Sequence, residues 1–147
     1  MILKSKFPKK NWEHFKLDSG FGVKGSGTTK REAFENAAMG TMSIIINPNK
    51  IRGLNSLFID CESEKDEDLL EKWVNSLIKE MEERKMLFSK FQVYLAKPKL
   101  RGKVWGEPID SCRHKSLAKL LKAQKEGCFV GQISPHEWVA KCGILVA

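Results

Sequence analysis

The residue types best suited to chemistry are concentrated in one stretch, Lys103 to Ala123, which reads KVWGEPIDSCRHKSLAKLLKA. Two carboxylates, Glu107 and Asp110, precede an arginine–histidine pair, Arg113 and His114. Carboxylates beside a histidine could form a catalytic cluster that moves protons. They could equally shape a polar corner between two strands, because a glycine and a proline in the same stretch mark a turn. The stretch alone leaves both interpretations open.

Nothing else in the sequence completes a catalytic set. His14, His114 and His136 have no recognisable nucleophile or carboxylate arrangement around them, and single histidines are more often structural than catalytic. The four cysteines are far apart, without a CxxC pair or a histidine at zinc-like spacing, which favours reduced thiols over a disulfide or a zinc site. The sequence therefore predicts a protein that is not itself an enzyme.

Composition sets outer limits on the fold and on the partners. A chain of 147 residues is the size of one domain, so we expect a single domain over residues 1–147. Its net charge of +8 favours attraction to phosphate polyanions or to an acidic protein surface, although the same charge also serves solubility. No apolar run approaches the ~20 residues of a membrane span, and the N-terminus lacks a secretory signal. We expect a cytoplasmic protein without membrane association.

A glycine-rich segment, residues 18–27 (DSGFGVKGSG), is an early candidate site in the chain. Glycines let backbone N–H groups approach a phosphate closely. The spacing, however, fits neither GxxxxGK[ST] nor GxGxxG at the start of a helix. We therefore predict a hairpin bend at this segment rather than a phosphate-binding loop.

Two amphipathic helices are predicted. The first begins at a capping box, Thr29 with Glu32 three residues later, and continues to about Ile45 with an apolar face of three- and four-residue spacing. The second runs from Asp66 to about Arg84, and its first-turn carboxylates complement the helix dipole. Its apolar face must pack on a sheet, because each buried leucine or isoleucine contributes about 1.5–3 kcal/mol.

The remaining periodic segments are typical of strands. Their predicted positions are residues 12–17, 54–61, 86–95, 100–105, 128–133 and 138–146. Residues 117–126 (LAKLLKAQKE) are ambiguous, because their intrinsic propensities favour a helix. The predicted fold class is α+β, with two amphipathic helices packed on a largely antiparallel or mixed β-sheet.

Several phrases of the sequence resemble the archease family. REAFENAAMGTMSIII (31–46) is similar to the first helix of that family, and DEDLLEKWVNSLI (66–78) is similar to its second. LFSKFQVYL, followed by RGKVWGEPID and by the pair Arg113 and His114, is similar to its strands and corner. The resemblance spans most of the chain and implies an archease-like domain.

Archeases are small cytoplasmic accessory proteins of the GTP-dependent RNA ligase of the RtcB type, which rejoins the halves of spliced transfer RNA. The resemblance implies that this protein docks at the ligase active site and promotes guanylylation of the ligase histidine. It also implies a tip that holds a lysine in a Val-Lys-Ala context. Leu121-Lys122-Ala123 matches that context after a one-residue insertion, which makes Lys122 the candidate activating residue and predicts a strand over 119–131. The corner residues Glu107, Asp110, Arg113 and His114 then become mainly architectural.

The resemblance also implies a divalent cation held by carboxylates at the tip, but those carboxylates are displaced or missing in this chain. The family signature His-Thr-Ala-Asp is interrupted, since three residues separate His14 from Asp18. Archeases usually end in an aspartate followed by one aliphatic residue, whereas this chain ends Ile144-Leu145-Val146-Ala147. The remaining metal candidates are Asp18 and the terminal carboxylate of Ala147, few for a Ca²⁺ or Mg²⁺ ion. We expect weak cation binding or none.

A different class of function is a basic RNA-binding module. Nine cationic side chains could track phosphates beside Trp105, namely Lys97, Lys99, Arg101, Lys103, Arg113, Lys115, Lys119, Lys122 and Lys125. The same pattern is typical of an ordinary solvated sheet face, and recognised RNA-binding signatures are missing. A ligase-binding scaffold or inhibitor without activator activity is a third hypothesis, which the sequence does not separate from the activator.

Overall fold

The order of elements follows the sequence prediction closely. The computed structural model describes residues 11–18, 20–115 and 117–147, with the backbone alone at Leu121. Residues 1–10, in which we expected no secretory signal, lie outside the described residues. Over the described residues the strands and α-helices are β1 (Trp12–Leu17), β2 (Gly20–Gly27), α1 (Lys30–Ile45), β3 (Asn55–Glu62), α2 (Asp66–Arg84), β4 (Met86–Ala96), β5 (Lys99–Pro108), β6 (Leu120–Ser134) and β7 (Glu137–Val146).

The strands of the described residues form two antiparallel sheets. The four-stranded sheet has the order β1-β2-β7-β6, and the three-stranded sheet has the order β3-β5-β4. The predicted α+β class is confirmed, although the strands are divided between two sheets. Within the described part of the chain, neither helix combines the length and the apolar character that crossing a membrane requires.

Helix α1 lies directly on β2, and glycines make this close approach possible. A Cβ atom at Gly25 would lie 2.3 Å from the Ala33 carbonyl oxygen, and one at Gly27 would lie 2.4 Å from the Cβ of Glu32. Only glycine leaves room for the helix backbone at such positions. The predicted hairpin is confirmed, because β1 and β2 pair as antiparallel strands. The predicted bend over 18–27 is wrong for residues 20–27, because Gly20–Gly27 is a strand that follows the turn at Asp18.

Both helices have the predicted bounds, Lys30–Ile45 and Asp66–Arg84. At the start of α1 the Thr29 hydroxyl accepts the N–H of Glu32 at 3.3 Å, as a capping box requires. The returning Glu32 carboxylate accepts the N–H of Thr28 at 3.1 Å, one residue earlier than in the standard box. The predicted cap therefore forms, with its second bond shifted by one residue.

Helix α2 contacts both sheets, mainly through β6 and β3. The Trp73 side chain is fully buried, and its indole N–H donates to the Phe34 carbonyl oxygen of α1 at 3.1 Å. A Cβ atom at Gly102 in β5 would lie 2.3 Å from the Trp73 ring, so only a glycine at this position leaves room for the ring. The predicted apolar face of α2 is buried as expected.

Polar side chains of the helices bond to backbone N–H groups on the edge strands of the two sheets. Asn75 Oδ1 accepts the N–H of Ala123 at 2.7 Å, and a Glu67 carboxylate oxygen accepts that of Val130 at 2.9 Å, both on β6. On β4, Glu35 accepts the N–H of Val93 at 2.7 Å. Pairing with β7 and these bonds to α2 override the helical propensity of 117–126, and the strand interpretation is confirmed from Leu120 onward.

Candidate functional site

The corner after β5 is built around Glu107, a carboxylate that is only 2% exposed. Its Oε2 accepts the N–H of Arg52 at 2.7 Å and lies 3.1 Å from His114 Nε2, while its Oε1 accepts from the Arg113 guanidinium. Burial alone would raise the pKa of Glu107, but these three donors together hold it below its ordinary value. An ionised carboxylate with this many donors is a poor base near neutral pH.

His114 is buried beside Glu107 and uses both ring nitrogens. Its Nδ1 accepts the backbone N–H of Asp110 at 2.9 Å, so the ring proton resides on Nε2 and is donated to Glu107. We expected no recognisable carboxylate arrangement around His114, and that expectation is wrong. The partner is Glu107, and the pair is closed off from solvent at 3% and 2% exposure.

Asp110 closes the turn that carries Arg113 and His114. Its Oδ1 accepts the N–H of Cys112 at 2.9 Å, and its Oδ2 accepts from Arg113 Nε at 3.3 Å. The N–H of Cys112 and the Arg113 guanidinium outweigh the opposing effect of burial, and they hold the pKa of Asp110 below its ordinary value. The polar groups of the corner are thus directed at one another. This supports an architectural role for the four corner residues.

Lys122 has the opposite setting, since it is exposed on β6. Leu120 and Ala123, on either side of it, are both buried, at 6% and 2% exposure. Residues three apart face opposite sides of a regular strand. Leu120 and Ala123 can both be buried because a β-bulge lies between them, where the register with β7 shifts between Leu120 and Lys122. Bulges re-aim side chains in this way, and here Lys122 is directed to solvent.

The other residues of the predicted tip lie at the same end of the four-stranded sheet. Lys122 pairs with Leu145 near the end of β7, and Phe21 at the start of β2 pairs with Ile144. The turn at Asp18 precedes β2, and Ala147 follows β7 with its N–H donated to the Lys119 carbonyl oxygen at 3.0 Å. The fold therefore brings Asp18, Lys122 and Ala147 to one sheet end, which we call the tip.

The tip does not fit a tightly held divalent cation. Across residues 11–18, 20–115 and 117–147, no group of three or more His, Cys, Asp or Glu side chains is arranged to hold a metal ion. Asp18 is exposed, and Asp18 with the carboxylate of Ala147 supplies few of the six to eight oxygen ligands that Ca²⁺ takes. All four cysteines are free thiols.

The comparisons with known proteins decide the family. A profile of the Archease protein family (MTH1598/TM1083) matches residues 12–124, well over half of the chain. The chain belongs to the archease family. Among curated archeases, the protein from Pyrococcus abyssi is 26% identical over 136 residues, covering 90% of this chain and 96% of its own length. The archease of Saccharolobus islandicus (strain Y.N.15.51) is 31% identical, covering 82% of this chain and 94% of its own.

Solved structures show the same fold. The solution structure of Methanobacterium thermoautotrophicum protein 1598 superposes with a TM-score of 0.81 at 22% identity, covering 95% of this chain and all of that one. The crystal structure of a Thermotoga maritima archease, described as a possible chaperone, superposes with a TM-score of 0.54 at 11% identity, covering 97% of this chain and 98% of that one. The archease architecture is thus kept at low sequence identity.

The nine basic side chains proposed to track RNA belong to different parts of this archease fold. Lys99, Arg101 and Lys103 lie on β5, whereas Lys122 and Lys125 lie on β6 of the other sheet. Of the others, Lys97 forms an ion pair with Asp66 at 3.1 Å, and Arg113 is engaged in the corner. The nine residues are therefore divided between the two sheets and the loops, with three of them on β5.

Two supporting residues were missed by sequence reasoning. Asn75 fixes the backbone of β6 one residue beyond Lys122, and the N–H of Arg52 completes the donors around Glu107. Their partners are 48 and 55 residues away in the sequence. No local pattern indicates contacts of that range.

Proposed function

We propose that this protein is an accessory factor of a GTP-dependent RtcB-type RNA ligase, acting at the ligase active site to promote guanylylation. Membership of the archease family supports an accessory role without catalytic activity of its own, and a relative from Thermotoga maritima is described as a possible chaperone. The proposed setting is the cytoplasm, and the proposed process is the joining of transfer-RNA halves and the repair of broken RNA ends.

The observation that carries the proposal is the fixed outward position of Lys122. The bulge directs its side chain to solvent, and the bond from the Ala123 N–H to Asn75 holds the adjacent backbone on α2. In guanylylation a histidine nitrogen bonds to the α-phosphorus of GTP, and the bond to the leaving pyrophosphate breaks. A lysine ammonium placed beside that phosphate chain stabilises the charge that develops on it.

The proposed action does not depend on a resident cation of the tip. Asp18 and the carboxylate of Ala147 would hold a divalent ion weakly, with water supplying most of its ligands. Lys122 provides a positive charge that needs no additional ligands. We therefore assign the activating role to the lysine and give the two carboxylates a secondary role in the contact with the ligase.

The test is a guanylylation assay with the RtcB-type ligase of the same organism, GTP labelled at the α-phosphate, and no RNA. The expected result is a faster formation of the ligase–GMP adduct that saturates as this protein is added, together with a complex in size-exclusion chromatography. A complex with an unchanged or slower rate would favour the scaffold or inhibitor hypothesis. If excess protein produces no complex and no change in rate, the proposed function is refuted.

A further inference from the structure

The outer face of the three-stranded sheet, turned away from the helices, combines aromatic rings with cationic side chains. The strand register aligns this face in three cross-strand rows, which are Ser56–Trp105–Lys90, Phe58–Lys103–Gln92 and Asp60–Arg101–Tyr94. Each row contains one aromatic ring. Phe58 and Tyr94 are 53% and 51% exposed, so both rings are open to solvent on this face.

The cations of this face lie against the rings. Lys90 Nζ is 4.6 Å from the centroid of the Trp105 ring, and Lys103 Nζ is 5.0 Å from the same centroid. Lys103 also lies 5.6 Å from the Phe58 ring. Two ammonium groups and two rings therefore form one continuous cluster, which we call the aromatic platform: Phe58, Lys90, Lys103 and Trp105.

The acidic groups of this face are confined to one end. Asp60 forms a bidentate pair with Arg101, at 2.8 and 3.2 Å, and Glu62 lies two residues further along β3. The two rows that contain the aromatic platform carry lysines and no carboxylate. The local charge is thus positive where the rings are, in a chain with a net charge of +8.

We propose that the aromatic platform binds single-stranded RNA. Rings on an open sheet surface stack unpaired bases, and adjacent lysines contact the phosphates that connect them. A purely acidic protein partner would use the lysines but not the exposed rings, so the combination favours nucleic acid. The rings and lysines of this surface suit a single-stranded nucleic acid, and only the choice of RNA over DNA rests on the proposed function with an RNA ligase. The site lies on a different sheet from Lys122.

Direct binding is measured by fluorescence anisotropy, with a labelled single-stranded RNA of about ten nucleotides and salt varied from about 50 to 200 mM. Phe58→Ala is expected to weaken binding at least about fivefold, because a base–aromatic stack is lost. Replacing both Lys90 and Lys103 with glutamine is expected to lower the salt slope by about 1.4, for two lost phosphate contacts. Thermal unfolding confirms that each variant folds.

Matched controls come from the outer face of the four-stranded sheet, where Lys141 Nζ lies 5.6 Å from the Phe129 ring. Phe129→Ala and Lys141→Gln are expected to leave RNA binding unchanged. The proposal would be overturned if these controls weakened binding as much as the platform variants do. It would also be overturned if double-stranded RNA or single-stranded DNA bound with equal affinity, or if no binding were detected at about 50 mM salt. The guanylylation assay contains no RNA, so failure of this inference and failure of the proposed function are told apart.

Discussion

The corner at residues 107–114 and the tip both contain charged residues that the sequence marks as candidate site residues. The fold buries the central charge of the corner and exposes the charge of the tip. In the corner, Glu107 is buried and bonded to Arg113 and His114. At the tip, Lys122 is exposed, and among the described residues it forms no ion pair. A group whose bonding capacity is used within the molecule stabilises the fold, whereas an exposed charge on a fixed backbone is free to contact another molecule.

The strongest test of this contrast is removal of the central carboxylate. Glu107→Ala leaves the N–H of Arg52, the Arg113 guanidinium and the His114 ring without their acceptor, and breaking such a buried pair costs about 3 kcal/mol or more in the free energy of unfolding. Urea unfolding at neutral pH followed by circular dichroism measures the loss.

The control for this variant is Glu13→Ala, which removes an exposed ion pair with Lys24. An exposed pair contributes about 0–1 kcal/mol, so the control should remain close to wild type. If both variants lost the same stability, the corner would not be the closed network that the contrast requires.

A smaller effect is expected in the pH dependence of stability. The pKa of Glu107 is lower in the folded than in the unfolded protein, so the folded state binds its proton less tightly. Its stabilising contribution is complete above the unfolded value, about 4.5, and is lost as the pH falls through the folded pKa. Glu107→Gln has no such proton to bind, so the stability difference between wild type and variant should narrow below about pH 4.5. A constant difference from pH 7 to pH 3 would contradict this account.

The smallest expected change in stability is at the tip. Lys122→Ala should alter the free energy of unfolding by less than about 0.5 kcal/mol, because the side chain is exposed. It should nevertheless return ligase guanylylation toward the unstimulated rate. The matched control is Lys125→Ala, an exposed lysine on the same strand, which should keep full stimulation. Stimulation that survives Lys122→Ala would remove this lysine from the proposed contact.

Local periodicity predicted the helices because the information for an amphipathic helix lies within the helix itself. The ends at Ile45 and Arg84 agree with the structure for that reason. The glycine segment was predicted as a bend, but its glycines are needed for the close approach of α1. That helix follows later in the chain and lies on Gly25. Residues 117–126 were ambiguous because pairing with β7, rather than local propensity, decides their conformation.

Candidate sites were predictable in composition but not in geometry. The corner residues are candidates by composition and Lys122 is a candidate by the family resemblance, yet the sequence contains no signal for the bulge that directs Lys122 to solvent. It placed Trp105 on a basic strand, but the alignment of Phe58 with Lys103 depends on the register between β3 and β5. Register is set by long-range packing, and a single sequence does not encode it visibly.

The bonds from helix side chains to the sheet edges have a consequence for aggregation. An edge strand with free backbone donors recruits strands from neighbouring molecules and can start a fibril. Here the N–H groups of Ala123, Val130 and Val93 are already occupied by Asn75, Glu67 and Glu35. An incoming strand would have to displace these acceptors before it could pair with β6 or β4 at those positions. The helix side chains thereby reduce the tendency of two sheet edges to template self-association when the protein is concentrated.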